Sequence, residues 1–348
     1  MEAAPSLHTR RRVTLANELH LNPADETERI AAALRHQLGE SLNRRGLVVG
    51  MSGGIDSSVC AALAVRAVGP AHVFGLLMPE QDSSGESLDL GKRLAEELGI
   101  PYAIEDITSV LAALGCYRRR NAAIRRLVPA FQDDWRFKVV LPGSRLDSDR
   151  LNVSSLVVET PGEVVTVRLP PAEYREIVAA TNFKQRVRTM LEYYHADRLH
   201  YAVVGTPNRL EYDQGFFVKG GDGLADVKPI AHLYKTQVYE LAEYLGVPAE
   251  IRSRVPTTDT YSLPQTQEEF YFALPAATLD LVLYAHNHGA DPALVAAELG
   301  GGCTADQAAR ALRDIEQKRA ATRYLHMPPL LVDPVSEIAA HEREGEPA

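Results

Sequence analysis

Short apolar runs alternate with longer helix-like segments between residues 46 and 107, and this alternation limits the chain to few folds. The runs at 46–50 and 73–78 are typical of buried parallel strands, and 102–107 follows as a third strand. The segments at 59–68 and 89–98 have the length of crossover helices. The order strand, helix, strand, helix, strand predicts an α/β fold with a doubly wound parallel sheet and flanking helices.

The middle of the chain has a different character. Short apolar runs at 139–141, 156–158 and 164–167 lie around Pro-Gly turns, which is typical of β-strands. We therefore predict a small β-rich insertion within one larger domain. The predicted ranges are 1–330 for the domain, 117–180 for the insertion and 331–348 for a C-terminal tail.

The composition excludes several classes of protein. Of the 348 residues 45% are hydrophobic, so the chain can bury enough apolar surface to fold. A net charge of −9 argues against a nucleic-acid partner, because phosphate binding needs a basic face. No apolar run reaches about 18 residues, which predicts no membrane partner. Three scattered cysteines and a polar, then basic, N-terminal stretch make the cytoplasm the expected location.

The most informative segment is residues 52–58, which read Ser-Gly-Gly-Ile-Asp-Ser-Ser between a strand and a helix. Adjacent glycines let the backbone approach a ligand, and the helix that follows offers unpaired N–H groups and a positive dipole end. With the serine hydroxyls, these groups predict a pocket for a polyanion. Asp56 would repel a phosphate, so its presence indicates a bridging Mg²⁺, which binds carboxylate and phosphate oxygens. A plain turn with Asp56 as a helix cap is the alternative.

The pattern Ser-Gly-Gly-x-Asp-Ser after a strand resembles the pyrophosphate loop of the ATP pyrophosphatases, a Rossmann-like class of enzymes that split ATP to AMP and pyrophosphate. Further segments are similar to motifs of the NAD synthetases within that class, and they occur in the same order. These segments are 182–188 (Asn-Phe-Lys-Gln-Arg-Val-Arg), 205–211 (Gly-Thr-Pro-Asn-Arg-Leu-Glu), 217–230, 233–238, 256–259 and 265–269.

The resemblance implies the ammonia-dependent form of the family, because the chain has no room for an amidohydrolase domain before the phosphate loop. Such an enzyme uses ATP and Mg²⁺ to adenylylate the nicotinate carboxylate of deamido-NAD. Ammonia then displaces AMP to form NAD, and the pyrophosphate from the first step is released. The resemblance also implies a homodimer, and a separate glutaminase stays open as the source of ammonia.

The resemblance also assigns roles to individual positions. Asp56 and Glu211 would hold Mg²⁺, and Asp56 and Lys235 would be catalytic. The stretch 257–269 would close over the site and exclude water from the adenylate. The positions that would bind ATP are Gly50, Met51, Ser52, Gly53, Gly54, Ile55, Asp56, Ser57, Thr206, Lys235 and Thr257, and those that would bind deamido-NAD are Arg186, Lys219 and Asp226.

Other interpretations remain open at this stage. The charged positions outside the loop could be solvated surface residues. The stretch 323–329 departs from the family pattern of His-Lys before a proline pair, so a paralogue that amidates another carboxylate is the second hypothesis. A tRNA-modifying enzyme is disfavoured by the acidic charge and the unpaired cysteines. A protein that only binds a nucleotide is disfavoured, because it would not need both Asp56 and Glu211.

Overall fold

Four parallel strands form the main sheet of this computed structural model, which describes residues 15–141, 154–257 and 260–333. The strand order is β3-β2-β1-β7, and Leu47 of β1 lies opposite Val73 of β2 and Ala202 of β7. In chain order the strands are β1 (Leu47–Gly50), β2 (Val73–Leu77), β3 (Tyr102–Ile104), β4 (Arg136–Val140), β5 (Ser155–Glu159), β6 (Val164–Arg168) and β7 (Ala202–Val204).

Helices connect and cover these strands. They are α1 (Leu15–Glu18), α2 (Pro23–His36), α3 (Ile55–Val68), α4 (Gly85–Leu98), α5 (Thr108–Ala113), α6 (Cys116–Arg125), α7 (Pro171–Leu199), α8 (Arg209–Gln214), α9 (Lys235–Tyr244), α10 (Ala249–Ser253), α11 (Ala276–Asn287), α12 (Pro292–Leu299) and α13 (Ala305–His326), with single helical turns at Gln37–Ser41, Pro70–His72 and Glu268–Phe272. Within the described part of the chain, no helix combines the length and the apolar run that a bilayer crossing needs.

Alternate residues of β1 face opposite sides of the main sheet. Leu47 and Val49 are fully buried among side chains of α2, α3, α4 and α9. Val48 is fully buried on the other side, where it packs with Ala196 of α7 and Val203 of β7. A parallel sheet with helices on both faces is the doubly wound arrangement, so the predicted fold class is confirmed.

A second, antiparallel sheet lies between α6 and α7 in the chain. Its strand order is β4-β5-β6, and Phe137 of β4 lies opposite Val158 of β5. Phe137 and Val158 are fully buried and pack with Ile124 of α6 and Ile177 of α7. This sheet is the predicted small β-rich part of the fold.

The long helix α7 starts at Pro171, inside the range 117–180 predicted for the insertion. Proline is favoured at the first position of a helix, because its missing N–H would have no partner there. The three predicted domain ranges stay predictions, and residues 334–348 of the predicted tail lie outside the described residues.

A third group of side chains comes from the C-terminal helices. Residues of α11, α12 and α13 form a separate apolar cluster with Leu19 and with Leu210 of α8. This cluster packs the first half of α13 against α8, and Glu211 of α8 and Tyr324 near the end of α13 line a cleft at the carboxyl edge of the main sheet. The candidate site lies at that edge.

Candidate active site

A cleft of about 720 Å³ opens at the carboxyl ends of β1, β2 and β7. Ligands of open α/β sheets bind in crevices at this edge, where the loops after the strands meet. The cleft is lined by the segment that follows β1, by Met78 and Pro79 after β2, and by Thr206 and Pro207 after β7. The residues of the predicted phosphate loop that line it are Gly50, Met51, Ser52, Gly54, Ile55, Asp56 and Ser57.

The loop between β1 and α3 is closed by its own hydroxyl groups. Ser57 Oγ donates to the Gly54 carbonyl at 3.0 Å, and Ser58 Oγ donates to the same carbonyl at 2.8 Å. Gly53 has φ of +71°, and a Cβ there would collide with the Ser87 carbonyl. The N-cap Gly54 has no side chain that could occupy the first-turn N–H groups of α3. These groups and the helix dipole favour an anion in the cleft.

Three charged side chains converge beside this loop. The Lys235 ammonium at the start of α9 pairs with one carboxylate oxygen of Asp56, and the Asn208 amide donates to the other at 3.0 Å. The Lys235 side chain is 2% exposed, so its charge depends on this pairing. The Glu211 carboxylate accepts the Asn208 backbone N–H at 3.1 Å and the Gln267 side-chain amide at 2.8 Å.

The electrostatics of Glu211 set it apart from a surface carboxylate. Burial and, to a smaller extent, the negative charge of Asp56 raise the pKa of Glu211 to about 7, and the Lys235 ammonium opposes the rise. Burial and the same two carboxylates also raise the pKa of the Cys60 thiol, so this cysteine stays protonated. With both carboxylates ionised, Asp56, Glu211 and Lys235 carry one net negative charge, which would favour binding of a further cation.

Asp280 of α11 supports this arrangement from behind. Its carboxylate accepts the backbone N–H of Lys235 at 3.0 Å and that of Thr236 at 2.7 Å, so it caps α9. The Asp280 residue is fully buried, and burial raises its pKa to about 6. The cap holds the first residue of α9, which is Lys235, at the cleft.

The residues predicted to bind deamido-NAD divide into two groups. Arg186 and Lys219 line the cleft, and the Arg186 guanidinium donates to the Lys219 carbonyl at 3.3 Å. The Lys219 ammonium donates to the carbonyls of Tyr324 at 2.7 Å and Met327 at 3.0 Å. Asp226 is absent from the described residues that line the cleft. Its carboxylate instead accepts the Val203 N–H at 2.8 Å, and its role in substrate binding stays a prediction.

Of the other predicted positions, Gly53 and Lys235 are not among the described residues that line the cleft, although Lys235 pairs with Asp56, which does. Thr206 and Thr257 line it, as does Gln267. None of the side-chain roles is tested by the structure alone, so the assignments of ATP-binding, metal and catalytic residues remain predictions.

Sequence reasoning did not single out four side chains that shape the site. Asn208 was recognisable, because it precedes Glu211 by three residues and forms a capping box with it. Gln267 lies in a segment that resembles a family motif but was given no role there, and Asp280 and Glu192 carry no local signal, because the partners of all three are distant in the chain. Glu192 of α7 lines the cleft against Gly50, and burial raises its pKa to about 7.

The fold and the site together define a nucleotide-binding α/β protein whose anion loop follows the first strand of a parallel sheet. The sequence model of the family described as NAD synthase matches residues 26–127 and 149–321, which is more than half of the chain. The chain belongs to this family, and the interpretation based on its motifs is confirmed. Residues 128–148, which include β4, are outside the match.

Relatives of known function extend the comparison. An "NH(3)-dependent NAD(+) synthetase" of Rhizobium meliloti is 59% identical over 331 residues, which cover 94% of this chain and 97% of the relative. A protein of the same name from Thermotoga maritima is 38% identical over 244 residues, covering 70% of this chain and 81% of that protein.

Solved structures share the fold. An "NMN synthetase" from Francisella tularensis superposes with a TM-score of 0.62 at 22% identity, covering 90% of this chain and 100% of that chain. An "NH3-dependent NAD synthetase" from Campylobacter jejuni, solved with nitrate, superposes with a TM-score of 0.58 at 22% identity and the same coverage.

The close contact at Gly53 generates a stability prediction. Gly99 has a left-handed backbone with open space around it, so Gly99→Ala should cost only the backbone strain, about 1–2 kcal/mol. Gly53→Ala adds a collision with the Ser87 carbonyl and should lower the free energy of unfolding by a further 1–3 kcal/mol or so. Urea unfolding of the two variants measures the difference, and equal costs would contradict the loop geometry described here.

Proposed function

We propose that this chain is an ATP-dependent ligase that forms NAD from deamido-NAD and ammonia. The observation that carries the proposal is the buried group of Asp56, Lys235 and Glu211 at the phosphate loop, in a chain 59% identical to an ammonia-dependent NAD synthetase. A carboxylate must be activated before ammonia can displace an oxygen from it. ATP provides the activation, and the site offers the charges that adenylyl transfer needs.

The proposed reaction has two balanced steps. A nicotinate carboxylate oxygen of deamido-NAD attacks the α-phosphorus of ATP, the bond to the β-phosphate breaks, and pyrophosphate leaves. Ammonia then attacks the acyl carbon of the adenylate, AMP leaves with the bridging oxygen, and one proton is released. The chain binds the reactants in line and keeps water away from the adenylate.

The ATP side of the site is assigned to the loop and the two helices beside it. The proposed ATP ligands are the loop residues, Thr206, Lys235 and Thr257, all at or beside the cleft. Lys235 acts as a point charge toward the phosphates, and its ammonium already lies beside Asp56. Asp280 keeps that ammonium in place by capping α9.

The donor set at Asp56 and Glu211 fits Mg²⁺. Mg²⁺ is usually held by one or two carboxylates together with waters and substrate phosphates, and no group of three or more metal-ligating side chains occurs among the described residues. Burial and the neighbouring Asp56 charge raise the pKa of Glu211, so a cation bound beside the two carboxylates would favour its ionised form. Bound there, Mg²⁺ would neutralise charge on the phosphate oxygens.

The acceptor side is assigned to the opposite wall of the cleft. Arg186 and Lys219 are the proposed contacts of deamido-NAD, and both line the cleft. Tyr324 and Leu325 at the end of α13 also line it, in the stretch whose sequence departs from the family pattern. Asp226 is kept as a proposed substrate ligand through its family position only.

We further propose a homodimer. Large apolar side chains are exposed on adjoining elements, with Met190 and Tyr194 of α7 each 58% exposed and Leu114 after α5 43% exposed. Helices α5 and α7 pack together, so these exposed side chains lie on adjoining elements. Exposed apolar side chains on adjoining elements support an interaction surface there. A separate glutaminase as ammonia source and a cytoplasmic location remain predictions from the sequence.

The proposal is tested by product formation from purified protein with ATP, Mg²⁺ and ammonium. NAD and pyrophosphate should appear in equal amounts, and both should depend on deamido-NAD. The matched reaction replaces deamido-NAD by nicotinate mononucleotide. Turnover with that acceptor alone would move the proposal to another carboxylate, and no pyrophosphate release with either would refute it.

Charge-neutral variants test the assigned carboxylates. Asp56→Asn and Glu211→Gln should lower kcat/KM by about 10²–10³-fold, because each removes charge needed where the phosphates react. Asp89→Asn is the matched control, since the Asp89 side chain is 80% exposed on α4 and is not among the described residues that line the cleft. Near-complete activity of Asp56→Asn would show that the assignment of this residue is wrong.

The raised pKa of Glu211 generates a pH prediction. Below pH 7 a proton occupies the carboxylate and competes with a metal ion, whereas above pH 7 the carboxylate is free. The Mg²⁺ concentration that half-saturates ATP binding should therefore rise about tenfold from pH 8 to pH 6. Calorimetric titration at both pH values measures it. The same Mg²⁺ requirement at pH 6 and pH 8 would contradict the role of Glu211.

A further inference from the structure

Strand β4 makes a dense set of hydrogen bonds to one wall of the cleft, residues 260–272, which we call the wall segment. The Phe137 N–H donates to Ser262 Oγ at 3.0 Å, and the Leu263 N–H donates back to the Phe137 carbonyl at 3.0 Å. The Gln265 side-chain amide donates to the Val139 carbonyl. These bonds attach the wall segment to β4, the edge strand of the antiparallel sheet.

Charged side chains add to this attachment. The Lys138 ammonium donates to the Pro264 carbonyl at 3.3 Å and pairs with the Glu269 carboxylate at 3.1 Å. The Arg136 guanidinium donates to the Ser262 carbonyl at 3.1 Å. The wall segment is therefore fastened by successive residues of one strand.

The wall segment also shares the core of the antiparallel sheet. Tyr261 is 4% exposed and packs with Phe137 at a ring distance of 5.4 Å. Phe270 packs on Tyr261 at 5.6 Å and belongs to the same apolar cluster. The wall segment thus packs on the antiparallel sheet through these two rings, and the same two residues also line the cleft.

A buried ion network fixes the first residue of the wall segment. The Lys184 ammonium of α7 donates to the Thr260 carbonyl at 2.8 Å and pairs with Glu80 at 2.8 Å and Asp82 at 2.6 Å. Arg120 of α6 pairs with the same Asp82 carboxylate. Both cations are 2% exposed, and removing Lys184 would leave the buried Glu80 carboxylate without a cation.

The other side of the wall segment reaches the reacting groups. Tyr261, Gln267 and Phe270 line the cleft, and the Gln267 amide holds Glu211 at 2.8 Å. Movement of the segment would open the cleft to water and release this amide from the carboxylate. Because β4 lies outside the family match, the family's sequence model does not describe this attachment.

We propose that the antiparallel sheet holds the wall segment in place, and that Ser262 and Lys138 are positioning residues that keep water from the acyl adenylate. The proposal rests on the proposed function. When the segment loosens, water attacks the acyl carbon in place of ammonia, AMP leaves, and deamido-NAD is regenerated. Each such event releases pyrophosphate without forming NAD, so the ratio of pyrophosphate to NAD measures how well the wall segment excludes water.

The test compares Ser262→Ala and Lys138→Met with two controls. Ser262→Thr keeps the Oγ acceptor and should restore wild-type behaviour. Thr166→Ala alters the exposed face of β6, the strand at the far edge of the same sheet. Pyrophosphate and NAD are measured at low ammonium, where water competes best. Hydrogen exchange of peptides within 260–272 is measured on the full chain without substrates.

Loss of one of these hydrogen bonds should speed hydrogen exchange in the wall segment about fivefold, which is the effect of one net hydrogen bond on an opening equilibrium. Pyrophosphate should exceed NAD in Ser262→Ala and Lys138→Met and equal it in the wild type and both controls. Unchanged exchange in both variants, or faster exchange with equal products, would overturn the proposal. A wild type that forms no NAD would refute the proposed function. The hydrogen-exchange measurement would still test whether the antiparallel sheet holds the wall segment in place.

Discussion

The buried pair of Lys235 and Asp56 is the interaction on which the site depends. An ammonium that is 2% exposed is stable only beside a negative charge, and Asp56 provides that charge from the first turn of α3. The same carboxylate acts on Glu211 and helps to raise its pKa to about 7. Two carboxylates and one ammonium group therefore lie together beside the phosphate loop. A cation bound with the phosphates would offset the excess negative charge of this group.

The architecture explains how these charges come together. The helices α3 and α9 begin at the carboxyl edge of the main sheet, and their positive dipole ends favour Asp56 and a bound phosphate there. Asp280 then caps α9 from a neighbouring helix, so the position of Lys235 depends on packing among the C-terminal helices. The antiparallel sheet also contributes, because it packs against the wall segment on the other side of the cleft.

Local patterns in the sequence predict the parts of this structure that short-range chemistry determines. The strand before residue 52, the glycine-rich turn and the helix after it follow from residue types and their spacing, and the structure has all three. The Asn208–Glu211 capping box was equally visible, because both residues lie in one helical turn. Short strands between residues 117 and 180 were also predicted, and they form β4, β5 and β6.

Other features depend on contacts between distant residues, which patterning does not show. Asp280 caps a helix that begins 45 residues earlier, and Gln267 reaches Glu211 across 56 residues. Lys184 was visible only as one polar residue of a motif, yet it is buried with Glu80 and Asp82 from the loop after β2. The length of α7 was not predicted, because its polar first turns pack on the antiparallel sheet.

Adenylylation at this site would join a carboxylate oxygen of the acceptor to the α-phosphorus of ATP. Deamido-NAD labelled with ¹⁸O in its nicotinate carboxylate tests this step, with the label followed by mass spectrometry. AMP should gain one ¹⁸O atom for each NAD formed, while pyrophosphate should gain none. Unlabelled AMP, or label in a phosphate product other than AMP, would contradict adenylylation as the chemistry of this site.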